Sequence, residues 1–186
     1  MKHGIFHRTA IVTLLAIAMF GAALIPVCSQ TKTASAAPNM KLLGLDGRIY
    51  DLTDLRGSVV LVSFGATWCA PCSTELRALE ELLLEYRGKP VKFYWVSIER
   101  ADQVTNGVLK RYAKERKITF PVLRDTGKMV FSQFSPRVRL PMIVLLSKDG
   151  RVDAPVQFGM PPTDAYKADM RARLNKLLAD SADSDR

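Results

Sequence analysis

The sequence predicts an α/β fold, a mixed central sheet with helices on both faces. Three observations carry this. Apolar runs over 58–66, 91–98 and 142–146 are rich in valine and other apolar residues, and they read as strands buried on both faces. Segments with helical periodicity follow the first two runs and close the chain. Turn signals at Asp46-Gly47 and Lys148-Asp149-Gly150 mark hairpins at either end, so crossover and antiparallel connections share one sheet.

The elements follow in order. "MKLLGLDGRIYDL" reads as a hairpin turning at Asp46-Gly47. "SVVLVSFGA", Ser58 to Ala66, is the first buried strand, bounded by Gly57 and Gly65. "STELRALEELLLEYRGK" places Leu76, Leu79, Leu83 and Tyr86 at helical spacing, with Gly88 as the stop. "VKFYWVSI" is the second buried strand. "ADQVTNGVLKRYAKERK" reads as a helix with Val104, Val108, Leu109 and Tyr112 on one side, and Gly107 is its weak point. "ITFPVLRD" reads as a short extended piece and "MVFSQF" as a short helix or turn. Met142 to Leu146 forms a strand, paired through the turn at 148–150 with an antiparallel partner. The last helix starts near Thr163 and carries Tyr166, Met170, Leu174 and Leu178 on one stripe. No second domain is visible, and residues 38–182 are expected to form a single one.

The N-terminus differs in kind. Lys2 and Arg8 precede an uncharged run from Ala10 to Val27, followed by a small, polar stretch ending in Ala34-Ser35-Ala36. That order is the pattern of a secretory signal, and residues 1–36 are expected to be one, with a retained membrane anchor as the alternative. A lipid on Cys28 is a further option, against which stands the lack of a small residue in "LIPV" before it. Loss of 1–36 removes Cys28 and both histidines, His3 and His7, and lowers the net charge from +9 to +6. The remaining basic residues are scattered, without the runs or aromatic interleaving of a nucleic-acid surface.

The chain's chemistry is concentrated in "ATWCAPCSTEL", where Cys69 and Cys72 stand between a buried strand and a helix start. A zinc site needs three or four protein ligands, and here only two thiols and no histidine are on offer. A structural staple across two residues would constrain little chain. Redox exchange suits the placement better. Cys69 faces the unpaired N–H groups and positive dipole end of the helix, which favour its thiolate over the free-thiol pKa of about 8.5. Cys72, one turn on, can attack a mixed disulfide and release the substrate. Pro71 fits an early helical position, where a missing N–H costs little.

"LDGRIYDLTDLRGSVVLVSFGATWCAPC", followed by "LPMIVLLSKDGRV", resembles the TlpA/ResA-like thiol-disulfide oxidoreductases of the thioredoxin superfamily. The resemblance implies a thioredoxin fold with a strand-helix insertion in the 69 positions between Cys72 and Pro141. It implies Cys69 as attacking thiol, Cys72 as resolving thiol, and Trp68 as an aromatic lid. Leu140-Pro141 corresponds to the family's cis-proline loop, and proline is the residue at which a cis bond is tolerated. Ser63 stands where thioredoxin has a buried aspartate, so Glu99 becomes the candidate proton acceptor for Cys72, with a solvated loop carboxylate as the plainer alternative. Leu140, Met142, Arg137 and Arg139 are expected to line the substrate groove, the arginines either steering acidic partners or simply facing solvent.

The implied activity is reduction of disulfides in exported partner proteins, in cytochrome c or metal-site maturation, without a cofactor beyond the dithiol. A membrane protein would supply electrons to a monomer in the periplasm or at the outer face of the cytoplasmic membrane. The alternatives are a peroxiredoxin-like peroxidase, disfavoured by the paired cysteines, and a metal-delivery or chaperone protein on the same scaffold.

Overall fold

The computed structural model describes residues 38–51 and 55–180, so the leader expected over 1–36 lies outside the described residues. Seven strands of the described residues form one sheet: β1 (Lys41–Gly44), β2 (Ile49–Asp51), β3 (Val59–Gly65), β4 (Val91–Ser97), β5 (Val122–Arg124), β6 (Met142–Leu146) and β7 (Val152–Phe158). Their spatial order is β2-β1-β5-β4-β3-β6-β7. The β5-β4-β3 core is parallel, and the outer pairings are antiparallel. β3 and β6 are buried along their whole length, as continuous apolar runs require. β7 is an edge strand, which is where Pro155 can be held without breaking a ladder on both sides. Gly47, at φ +83, supplies the left-handed residue of the β1–β2 turn.

Among the described residues, three α-helices complete the fold: α1 (Ala70–Glu85), α2 (Asn106–Glu115) and α3 (Thr163–Asp180). α2 begins five residues later than its periodicity predicts. The Thr105 hydroxyl accepts from Val108 N at 3.3 Å and caps it there, which puts Gly107 in the first turn, where its flexibility costs least. Leu109 and Tyr112 are its buried face, whereas Val108 is exposed. On α1 and α3 the buried stripe is one residue off the expected register at one position each, Leu82 rather than Leu83 and Leu177 rather than Leu178.

Both faces of the sheet are covered, but unequally. Leu76, Leu79 and Leu82 of α1, Leu109 and Tyr112 of α2, and Tyr166, Met170 and Leu174 of α3 all join one core with Leu61, Phe93 and Trp95. The opposite core holds Val62, Phe64, Val96 and Val144 beneath Phe131, which sits in a single 3-10 turn, Phe131–Gln133. Among the described residues, therefore, the α-helices occupy one face and a short turn with its flanking loop closes the other. The strand and helix expected in the insertion are β4 and α2, yet β4 is an interior strand, and β5 follows α2 to extend the parallel core.

Candidate active site

β3 ends at Gly65, and Ala66-Thr67-Trp68 carries the chain to Cys69, the N-cap of α1. Cys69 Sγ accepts from Cys72 N at 3.3 Å, the geometry of a capping side chain at a helix start. The two cysteines are joined, with S–S 2.04 Å and Cα–Cα 5.3 Å. Cys69 is 5% exposed and Cys72 fully buried, so the first sulfur is the one an incoming group can meet. Pro71 occupies the first turn of α1. Trp68, beside the pair in sequence, is 69% exposed.

The Leu140–Pro141 bond is cis, and Leu140 packs against Ala66, Cys69 and Cys72. Arg137 and Arg139 are exposed on the same loop. Arg137 O accepts from the Ser135 hydroxyl at 2.7 Å, and the Arg139 guanidinium lies 3.9 Å from the Phe158 ring centroid. Met142 does not line a groove as expected. It opens β6, pairs with Phe64 across the ladder, and is fully buried in the core opposite the α-helices.

Glu99 also departs from expectation. It is 4% exposed, so it is no solvated loop carboxylate. Its carboxylate accepts from Thr67 N at 2.9 Å, Thr67 Oγ1 at 2.7 Å and Ser97 Oγ at 3.1 Å. These bonds tie the loop before Cys69 to the end of β4. Arg124 secures the same corner by donating to Glu99 O at 3.0 Å. Glu99 is thus a brace of the turn.

The acid on the cysteine face is Glu75, three residues past Cys72 on α1 and completely buried. That spacing makes the two side chains neighbours on the helix surface. Ser63 donates to Glu75 Oε2 at 2.7 Å, and Tyr166 donates to Oε1 at 3.2 Å. Burial pushes the Glu75 carboxyl up to about 8, although the Ser63 and Tyr166 hydrogen bonds pull the other way. Ser63, which stands in place of a buried aspartate, therefore supports a buried carboxylate from the facing helix instead. A signal for Glu75 existed in the sequence. Cys72, Glu75, Leu76 and Leu79 share one helical stripe, and a carboxylate on an apolar stripe beside a reactive thiol is chemically suggestive.

Trp95, Gly65 and Tyr112 complete the surroundings. Trp95 is fully buried in β4, stacks on Tyr112 at 5.3 Å between centroids, and its Nε1 has no hydrogen-bond partner among the described residues. A Cβ at Gly65 would fall 2.5 Å from Trp95 Nε1 and 3.4 Å from Cys72 Sγ, so only glycine fits between them. Among the described residues, no cluster of three or more His, Cys, Asp or Glu side chains could hold a metal ion. Nor is any helix among them long and apolar enough to cross a membrane.

Comparison with known proteins agrees with this geometry. The AhpC/TSA family model matches residues 33–154. Thiol-disulfide oxidoreductase ResA of Bacillus cereus is 34% identical over 116 residues, 62% of this chain and 64% of that one. The alignment thus spans just under two thirds of that relative. ResA of Geobacillus thermodenitrificans is 32% identical over 149 residues, covering 78% of this chain and 82% of the relative. The fold matches that of a thiol:disulfide interchange protein of the thioredoxin family from Chlorobium tepidum TLS, with a TM-score of 0.63 at 22% identity, over 76% of this chain and 94% of the other. The chain belongs to the AhpC/TSA family and, within it, to the ResA-like thiol-disulfide oxidoreductases of thioredoxin fold.

Proposed function

We propose that the protein is an exported thiol-disulfide oxidoreductase that reduces disulfides in specific partner proteins. One observation carries the reading: a Cys69–Cys72 bridge at the N-terminus of α1, with the first sulfur partly reachable and the second sealed beside a buried acid. In the dithiol form, the Cys69 thiolate attacks one sulfur of the partner disulfide and displaces the other as a thiolate. Cys72 then gives up its proton and attacks Cys69 Sγ. The Cys69–Cys72 bond forms, and the partner's second sulfur leaves as a thiolate. Two electrons pass to the partner, whose thiolates take up protons from water.

Each residue has a part in that sequence. The helix N-terminus favours the Cys69 thiolate. Glu75, when ionised, takes the Cys72 proton and returns it on re-reduction; burial pushes its carboxyl up to about 8, so its ionised share, and with it this proton transfer, grows as pH rises towards 8. Leu140-Pro141 and the exposed Trp68 frame the approach to Cys69 for an extended partner segment. Glu99 keeps the 66–68 turn in place. The N-terminal pattern of 1–36 supports export or anchoring at the outer face of the cytoplasmic membrane. There a membrane donor would restore the dithiol of a monomer working in cytochrome c or metal-site maturation.

The test begins with insulin-disulfide reduction by the full chain. Cys69→Ser is expected to abolish it, and Cys72→Ser to accumulate a mixed disulfide, since attack survives and resolution is lost. Normal turnover by the Cys72 variant would overturn the assigned roles. Equilibration with glutathione gives the direction: a potential near about −270 mV marks a reductant and one near about −120 mV an oxidant. Rapid consumption of peroxide by the reduced protein would favour the peroxidase alternative.

A further inference from the structure

We propose that the indole N–H of Trp95 donates a hydrogen bond to Cys72 Sγ in the dithiol state and thereby selects the reduced form of the pair. The proposal rests on the reading above in one respect, that the Cys69–Cys72 bond opens.

Trp95 pairs in register with Ser63 of β3 and is fully buried. Its ring is held in one orientation by the stack on Tyr112, interplanar angle 16°, and Tyr112 in turn carries the Arg116 guanidinium 3.7 Å from its centroid. Arg116 donates to Ser73 Oγ at 3.1 Å, and Ser73 Oγ lies 3.1 Å from the Tyr112 hydroxyl, so the whole stack is fastened to the first turn of α1. A ring so fixed cannot swing its N–H towards water. Yet Nε1 has no partner in the disulfide form. Buried donors are rarely left that way, and a donor without a partner beside a redox centre calls for an explanation.

Gly65 supplies it. Both Trp95 Nε1 and Cys72 Sγ border the space its missing side chain leaves, 2.5 Å and 3.4 Å from where a Cβ would stand. In the disulfide, each sulfur is a neutral, weak acceptor. Reduction delivers two electrons to the S–S bond, which breaks, and each sulfur gains a lone pair. One or two protons follow, according to whether a sulfur stays as thiolate. Cys72 Sγ is then free to turn about its own side-chain bond into the gap, and as a thiol or thiolate it is a better acceptor than before. The N–H is unsatisfied in one redox state and satisfied in the other, so it favours the dithiol. It also favours the Cys72 thiolate that must form during resolution.

The experiment uses the full chain labelled with nitrogen-15 and reduced with dithiothreitol, which opens the pair whether or not insulin is a substrate. The chain has two tryptophans, Trp68 and Trp95, and Trp95→Phe assigns their indole signals. The Trp95 Nε1–H resonance is expected to move downfield on reduction; in Glu75→Gln, which removes the titrating carboxyl near Cys72, it should titrate with Cys72 in the dithiol and stay independent of pH in the disulfide form. Trp95→Phe keeps a ring for the Tyr112 stack and removes the donor. It should shift the equilibrium with glutathione about tenfold towards the disulfide, about 30 mV for a two-electron couple. It should also raise the pH at which Cys72 becomes reactive to iodoacetamide. A resonance indifferent to redox state and pH overturns the proposal, even if the phenylalanine variant fails to fold. So does an unchanged glutathione equilibrium in a folded variant. Failure of insulin reduction with a redox-sensitive resonance would instead count against the substrate reading alone.

Discussion

Replacing Glu75 by glutamine should remove most of the pH dependence of stability between pH 5 and pH 8. In the oxidised protein Cys69 and Cys72 do not titrate, and no described residue is a histidine. The acids shifted elsewhere, Asp46, Glu85, Asp102 and Asp149, are all held below their ordinary values by hydrogen bonds. Glu75 is therefore the described group whose protonation differs between folded and unfolded chains in that window. Folding raises its carboxyl from 4.5 to about 8. Between these values the folded chain keeps a proton that the unfolded chain has released, so stability falls as pH rises and levels off above about 8. A tenfold change in proton affinity corresponds to about 1.36 kcal/mol, so the whole rise amounts to a loss on the order of 5 kcal/mol. Urea unfolding of the oxidised protein at pH 5, 6, 7, 8 and 9 measures this directly. The wild type should lose up to about 1.4 kcal/mol per pH unit over the window. Glu75→Gln should be nearly flat, because its neutral amide fills the same space and the Ser63 and Tyr166 hydroxyls can rotate to meet it. Parallel slopes for the two proteins would refute a proton held at Glu75.

Two further outcomes are expected. Gly65→Ala should destabilise the fold by about 1–3 kcal/mol in urea or thermal unfolding, because the new Cβ would lie 2.5 Å from Trp95 Nε1 in a core without room to give. A neutral substitution would mean that the Trp95–Tyr112 stack is looser than its geometry indicates. Arg137→Gln should slow association with an acidic partner at low salt and reduce the salt dependence of the rate, whereas Arg139→Gln should do so less, because the Arg139 charge already rests on the Phe158 ring. Stopped-flow binding at low and high salt separates the two. Equal salt slopes in both variants and the wild type would assign both arginines to plain solvation.

What the sequence by itself determined was everything that local pattern and short spacing control. The buried runs became β3, β4 and β6 within a residue of their expected limits, because a strand buried on both faces leaves an uninterrupted apolar signature. The Cys-x-x-Cys pair at a helix N-cap was legible for the same reason, since the cap, the early proline and the i, i+3 spacing lie within four residues. Tertiary structure decided which polar groups surround that pair. Glu75 is held by Tyr166 from 91 positions away, and Glu99 by Thr67 from 32, contacts that no local pattern reports. The burial of Met142 and the hydrogen-bond partners of Glu99 were out of reach of sequence reasoning, because position beside a motif says nothing about which side of a sheet a residue faces or which donors it meets. The distribution of helices over the two faces likewise depended on long-range packing. Periodicity finds the apolar stripe of a helix, but only the assembled sheet determines which surface covers it. The apposition of Gly65, Trp95 and Cys72 needed three separate elements to converge. The desolvation that raises Glu75 and leaves the Trp95 N–H unpaired exists only once they have done so.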